Sequence, residues 1–306
     1  MSNRTALFSR HQPGGVWTVE NLVEHPGDVW FVKSGTGTDG AGYGRNPDAP
    51  FATVDYAIGN CTANQGDVIY VLPGHAETLD AATDCVLDVA GVKVVGLGWG
   101  TTKPVLTFST TDSIVSITAA NCWLENIRLV GAVDNIVTGI SIGALADGCT
   151  LKDIEIVDGA TNKEFLIGVN VVTACHDVTI DGLKFFGLAG GGTGAIVFAG
   201  ASDRSIVRNC YIQGTWATAL LDISGAASKG YFIHDNLLVN EDATNGLVIK
   251  GHATNTGLVT RNIVAGTKNN TETINTPGTL HFAENYGTDT VATSGILTPS
   301  TLTAWS

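Results

Sequence analysis

Carboxylates are the side chains of this sequence with the widest choice of chemistry. The chain carries 29 Asp and Glu against 16 Lys and Arg, a net charge of −13. Two carboxyls held ~5–9.5 Å apart across a groove can cleave a glycosidic bond. The candidates are Asp177, Asp203, Asp222, Glu241 and Asp242, with Asp177 and Asp203 lying 26 residues apart. The plainer expectation is that Asp177 and Asp203 each start a strand at a polar turn. His176, His234 and His252 are 58 and 18 residues apart, which matches no metal-ligand spacing. The six cysteines (61, 85, 122, 149, 175 and 210) contain no C-x-x-C pair. With no secretory leader in the first 30 residues, they are expected to be reduced and mostly buried, Cys122 stacking on Cys149. Gly35-Thr-Gly37-Thr-Asp-Gly40 has the spacing of a dinucleotide fingerprint, but Gly42, Gly44 and Asn46-Pro47 follow where a helix should open. It reads as a flexible glycine loop, and no cofactor is expected.

These groups are positioned by a repeated backbone. Seven phrases align on one column of turn residues: Asn126, Asp153, Gly182, Asn209, Asn236, Asn262 and Asn285. Their spacings are 27, 29, 27, 27, 26 and 23. A second column, Ser113, Gly139, Gly168, Gly194, Ala219 and Gly246, keeps a similar period. Two columns at one period indicate a solenoid. Strands of three to five residues rich in Val, Ile and Leu predict a right-handed parallel β-helix of about 27 residues per coil, the hand following from parallel crossovers. Asn, Asp and Gly tolerate the left-handed backbone that a sharp corner needs.

The residues before those turns are Glu125, Lys152, Asp181, Arg208, Asp235, Arg261 and Glu284, alternating in sign at every step. Arg128, Glu155 and Lys184 alternate likewise. Side chains at one position of successive coils are neighbours, so opposite charges attract there and a slipped coil brings like charges together. Acids on such a ladder are expected to be matched by bases rather than gathered for catalysis.

The expected organisation is an arm over 1–27, a strand, glycine loop and capping helix over 28–66, the β-helix over 67–286, and a tail or cap over 287–306. The helix is expected over Phe51–Asn60, covering the terminal coil against association. Trp99 and Trp123 are expected in irregular core or loop sites, because the tryptophans show no one-coil spacing.

With "DAPFATVDYAIGNC" and "GDVIYVLPGHAET" opening the coils, the sequence resembles the pectin-lyase-like right-handed parallel β-helix superfamily over roughly residues 28–290. It looks most like the β-helix proteins of bacteriophage virions. The resemblance implies a trimeric virion component: a capsid decoration or fibre, or a tailspike. The Asn-Thr-Asp, Asp-Asp, Gly-His-Gly and Arg-Ile-Lys segments of polygalacturonase-like enzymes are missing; Gly251-His252-Ala253 comes nearest. No catalytic residue, cofactor or metal site is therefore assigned. The expectation is a phage structural protein in the virion, assembled in the host cytoplasm. Its partners would be the major capsid protein or another virion protein and two further copies, with no nucleic acid or membrane. The alternative is a tailspike-like protein that binds or depolymerises a host glycan.

Overall fold

The computed structural model describes residues 27–160, 162–188, 191–244, 247–266, 274–275, 279–288 and 295–296. Within them the chain is a parallel β-helix of about eight coils, each near 27 residues. One coil shows the plan. Trp123–Glu125 lies in the first sheet, Arg128–Gly131 in the third and Ile140–Ile142 in the second; Thr150–Lys152 then returns to the first. Among the described residues the sheets hold ten, eight and ten strands, all parallel except Gly295–Ile296, which pairs antiparallel with Tyr286–Thr288.

Alternation makes the strands and fills the interior. In the first sheet Val94, Leu124, Leu151, Ile180, Val207, Ile233 and Val259 point inward, none more than 1% exposed. Burying each contributes roughly 1.5–3 kcal/mol. Leu106, Leu129, Ile156, Phe185, Ile212, Leu238 and Val264 do the same from the third sheet. Phe108, Phe165, Phe185 and Trp216 form an internal edge-to-face chain with centroids 5.0, 6.4 and 5.3 Å apart.

The cap is a helix over Val54–Ile58, shorter than Phe51–Asn60, with Val54, Ala57 and Ile58 buried. The glycine loop before it is tied down rather than free. Asp39 accepts from the amides of Ala52 and Thr53 and from the Thr53 hydroxyl. The chain's own carboxylate thus sits where a bound phosphate would meet the helix. Beneath, Glu77 accepts from Val54 N (3.1 Å) and lies 3.0 Å from His75 Nε2. The arm over 1–27 lies outside the described residues apart from Gly27, as does most of the tail.

The corner ladder holds for four coils and then shifts by one residue. Asn126, Asp153, Gly182 and Asn209 have φ of 57°, 52°, 73° and 54°. In the next three coils the left-handed residues are Asp235, Arg261 and Glu284 (57°, 53° and 54°), not Asn236, Asn262 and Asn285. Those asparagines take the next position inward, which Ile127, Ile154, Leu183 and Cys210 occupy in earlier coils. They are 2%, 0% and 0% exposed. Asn236 Nδ2 donates to Asn262 Oδ1 (2.8 Å) and Asn262 Nδ2 to Asn285 Oδ1 (2.9 Å). Cys210 N donates to Asn236 Oδ1 at 2.9 Å, starting the ladder. The amide ladder therefore exists, but inside the core. Its bonds offset the cost of burying each polar group.

The charge ladder is corrected by the same shift. Arg208 lies opposite His234, not Asp235, and the following partners in that column are Thr260 and Ala283. In the second repeat column Gly139 and Gly168 share a register. Ser113, Gly194 and Ala219 stand one residue early, and Gly246 lies outside the described residues.

Asn262→Ala removes the acceptor of Asn236 N and Nδ2 and two donated bonds in a dry interior. Chemical denaturation is expected to show a loss of about 2–4 kcal/mol. Asn209→Gly, at an exposed left-handed corner, is expected to change stability by less than about 1 kcal/mol.

Candidate functional site

The outer ladders are ion pairs between coils. Glu125 is 3.3 Å from Lys93 and 3.0 Å from Lys152. Burial pushes its pKa up, but the two lysines outweigh that and hold it below the usual value. Arg208 reaches Asp181 at 2.9 Å, and Asp181 is lowered by the same contest, burial against Asn209 and Arg208. Arg261 grips Asp235 through two bonds of 2.8 Å. Asp235 lies well below its ordinary pKa because of that grip first and of His234 second. Glu284 makes no ion pair among the described residues. In the second column Arg128 meets Glu155 at 3.0 Å and Lys103 approaches it at 3.7 Å. Lys184, opposite Glu155 in register, forms no ion pair with it.

The candidate acids are engaged one by one. Arg204 chelates Asp177 through two bonds of 2.7 Å and keeps its pKa low, the reverse of what a general acid needs. Asp177 N donates to Asp203 O, so the two are one coil apart. Asp203 accepts from Lys229 N at 2.7 Å, and His176 Nδ1 lies 4.0 Å from its carboxyl. Asp222 accepts from Ser224 and faces Lys250 at 3.6 Å. Glu241 accepts from Gln213, and Asp242 from Thr244 N. His234 bonds Asp235 and His252 bonds Thr254. Among the described residues no group of three His, Cys, Asp or Glu is placed to hold a metal ion. All six cysteines are free and five are buried. No described helix is long and apolar enough to cross a membrane.

Sequence reasoning passed over two buried acids with raised pKa. Asp158 is 4% exposed and is pushed up to about 6 by burial, against amide bonds from Leu188 (2.8 Å) and Phe165 (3.1 Å). Glu164, 3% exposed, is raised first by burial and then by a hydrogen bond with the Asp134 carboxyl. Both are sealed from solvent, and Asp158 spends its oxygens stitching neighbouring coils. Asp158 is a loop clip, whereas Glu164 Oε2 is buried without a hydrogen-bond partner.

Two surface features remain. One is a corner cavity of about 270 Å³ lined by Trp99, Gly100, Lys103, Asn126, Asp153, Glu155, Gly182 and Lys184. Trp99 is 86% exposed, at the loop rather than the core kind of site expected for it. Trp123, half-buried, bonds Glu125 and lies under Lys93. The other feature is a stripe. Beyond Lys184 the outer column of the third sheet turns apolar: Tyr211, Leu237, Ile263 and Tyr286 stand in one register. Leu237, Ile263 and Tyr286 are 36%, 55% and 53% exposed. The stripe was hidden because Tyr211, Leu237 and Ile263 directly follow the "RNC", "DN" and "RN" corners, where charge drew the attention.

No family model and no curated protein matches the sequence. Among solved structures, a rhamnogalacturonan lyase is similar at 13% identity and a TM-score of 0.50, over 80% of this chain and 75% of that one. A GH136 lacto-N-biosidase from Eubacterium ramulus aligns at 11% identity and a TM-score of 0.38, over 85% of this chain and 67% of that one. The first likeness concerns the fold alone and agrees with the β-helix.

Asp158 gives a pH signature of known sign. Its folded pKa lies above its ordinary value, so stability from this group is full below about pH 4 and lost as pH rises through about 6. Urea midpoints across that window are expected to show wild type gaining on Asp158→Asn as pH falls. An unchanged difference would contradict the burial argument.

Proposed function

We propose that this chain is a structural component of a bacteriophage virion, a homotrimeric decoration or fibre protein that binds the major capsid protein. One observation carries the non-catalytic part. The outward-facing acids of the coils that could serve chemistry are largely held by bases one coil away: Glu125, Asp177, Asp181, Asp235 and Glu155. A rod whose charges are spent on its own register suits a scaffold better than a hydrolase. The phage setting is supported by the resemblance of the opening segment and coils.

Copies would associate through the apolar stripe. Exposed apolar surface in an unbroken register is a common mark of a protein interface, and self-association covers it at every protomer. The arm over 1–27 would fasten the trimer to the lattice, leaving the β-helix outward.

Two measurements test this. Sedimentation velocity is expected to give a trimer for wild type and a monomer for the Leu237→Glu, Ile263→Glu double variant, with unchanged circular dichroism. Deleting residues 1–27 is expected to abolish binding to purified capsids while thermal unfolding stays cooperative. Retained capsid binding removes the arm's role, and absence of the chain from purified particles removes the virion reading.

A further inference from the structure

We infer that His75 is a proton-operated latch on the capping helix: its imidazolium form cannot keep the bond from Ser34, so mild acid loosens the cap over the first coil. The inference does not rest on the virion reading. It adds a response to pH that a scaffold and an enzyme could equally carry.

The partners of His75 fix its tautomer. Its side chain is fully buried. Ser34 N lies 2.9 Å from Nδ1, and a backbone N–H can only donate, so Nδ1 is the acceptor. The ring proton is then on Nε2, which donates to Glu77 Oε2 at 3.0 Å. The same carboxylate oxygen accepts from Val54 N, in the first turn of the helix, at 3.1 Å. Ser34 is tied to the coil a second time, its Oγ accepting from Ala76 N at 2.8 Å. One neutral imidazole thus joins the start of the glycine loop, the strand Ala76–Leu79 and, through Glu77, the helix Val54–Ile58.

A second proton has one place to go, Nδ1. There it meets the Ser34 N–H, donor against donor, and the bond is lost. Turning the ring over does not restore it, because both nitrogens of an imidazolium are donors. The charged groups on the surrounding elements favour that proton. Glu77 faces it directly. Asp55 of the helix and Asp84 lie with Glu77 around Cys85, whose thiol is kept neutral first by burial and then by Glu77. Asp39 sits across the helix start on the amides of Ala52 and Thr53. Lys33 stands one residue before Ser34, and Lys103, ahead of the neighbouring strand, donates to Asp153 O. Among the described residues Glu77 has no ion-pair partner but His75. Acidic surroundings accept an imidazolium, and the cost falls on the Ser34 contact.

The latch covers apolar surface. Val54, Ala57 and Ile58 are buried against the first coil, and a solenoid end without its cap presents its core to water. Release leaves the coil itself wound, since Val29–Val32 stays paired with Val68–Val71 residue by residue.

Amide hydrogen exchange on the full chain, corrected for its intrinsic pH dependence, reads the cap. From about pH 7.5 to about 5.5, the range where histidine ordinarily changes charge, protection over residues 34–58 is expected to fall about ten-fold or more. Residues 123–131 are expected to keep theirs. His75→Asn, whose carboxamide oxygen accepts from Ser34 N and does not titrate, is expected to hold the cap's protection constant. Imidazole nitrogen NMR shifts of wild type are expected to show the proton of His75 on Nε2 at the upper pH and both nitrogens protonated at the lower. Wild-type protection that ignores pH overturns the inference. So does an equal fall in His75→Asn, which would place the proton on Asp39, Asp55 or Glu77, or a fall while His75 stays neutral.

Discussion

Parallel stacking chooses the neighbours of every outward side chain in this protein. A residue in one coil stands beside its equivalents one coil above and below, at the spacing of hydrogen-bonded strands. Side chains therefore interact along columns rather than along the chain. A column of one charge would repel itself at every step, and a column of alternating charge holds register. Glu125, Lys152, Asp181 and Arg208 are such a column, and Lys93, opposite Trp123, reaches Glu125 diagonally. Each exposed pair contributes only ~0–1 kcal/mol. Their consequence is that a one-coil slip would set Glu125 on Asp181, so the pairs select an alignment that the apolar interior alone would not.

The corners obey a second constraint. The chain must turn sharply between the first and third sheets once per coil, and one residue in the left-handed region does it. Where the corner residue is Asn, Asp or Gly the strain is small. Arg261 and Glu284 take the same conformation at φ of 53° and 54°, where L side chains are disfavoured. The buried ladder of Asn236, Asn262 and Asn285 explains why. Moving those asparagines inward gains amide bonds that run from coil to coil, and the charged residue before each is carried into the corner. Arg261 is then placed to chelate Asp235.

Function reads out of the same columns. The ladder carboxylates are paired with bases one coil away, and two carboxyls of raised pKa, Asp158 and Glu164, are buried under loops. What the ladders leave unspent is informative: an apolar stripe where the third-sheet column loses its charges, and an exposed indole beside Asp153 and Lys184. Both stand outside the ladders' pairing.

The coil, its period, the order of its sheets' apolar residues and the pairing of Glu125 with Lys152 and Asp181 with Arg208 were legible in the residues, because strand alternation and turn chemistry are local and recur. The cap's position was legible too, though not its five-residue length. The one-residue shift after Asn209 was not. An Asn in a left-handed corner and an Asn in a buried ladder have the same letter and the same neighbours in sequence. Only the hydrogen bonds reaching into the coils on either side distinguish them. Trp99 was left open between a core and a loop site for the same reason: whether an aromatic side chain fills a core or stands in water depends on the coil packed beside it. Local propensity sets what each residue can do, and stacking across coils decides which of those it does.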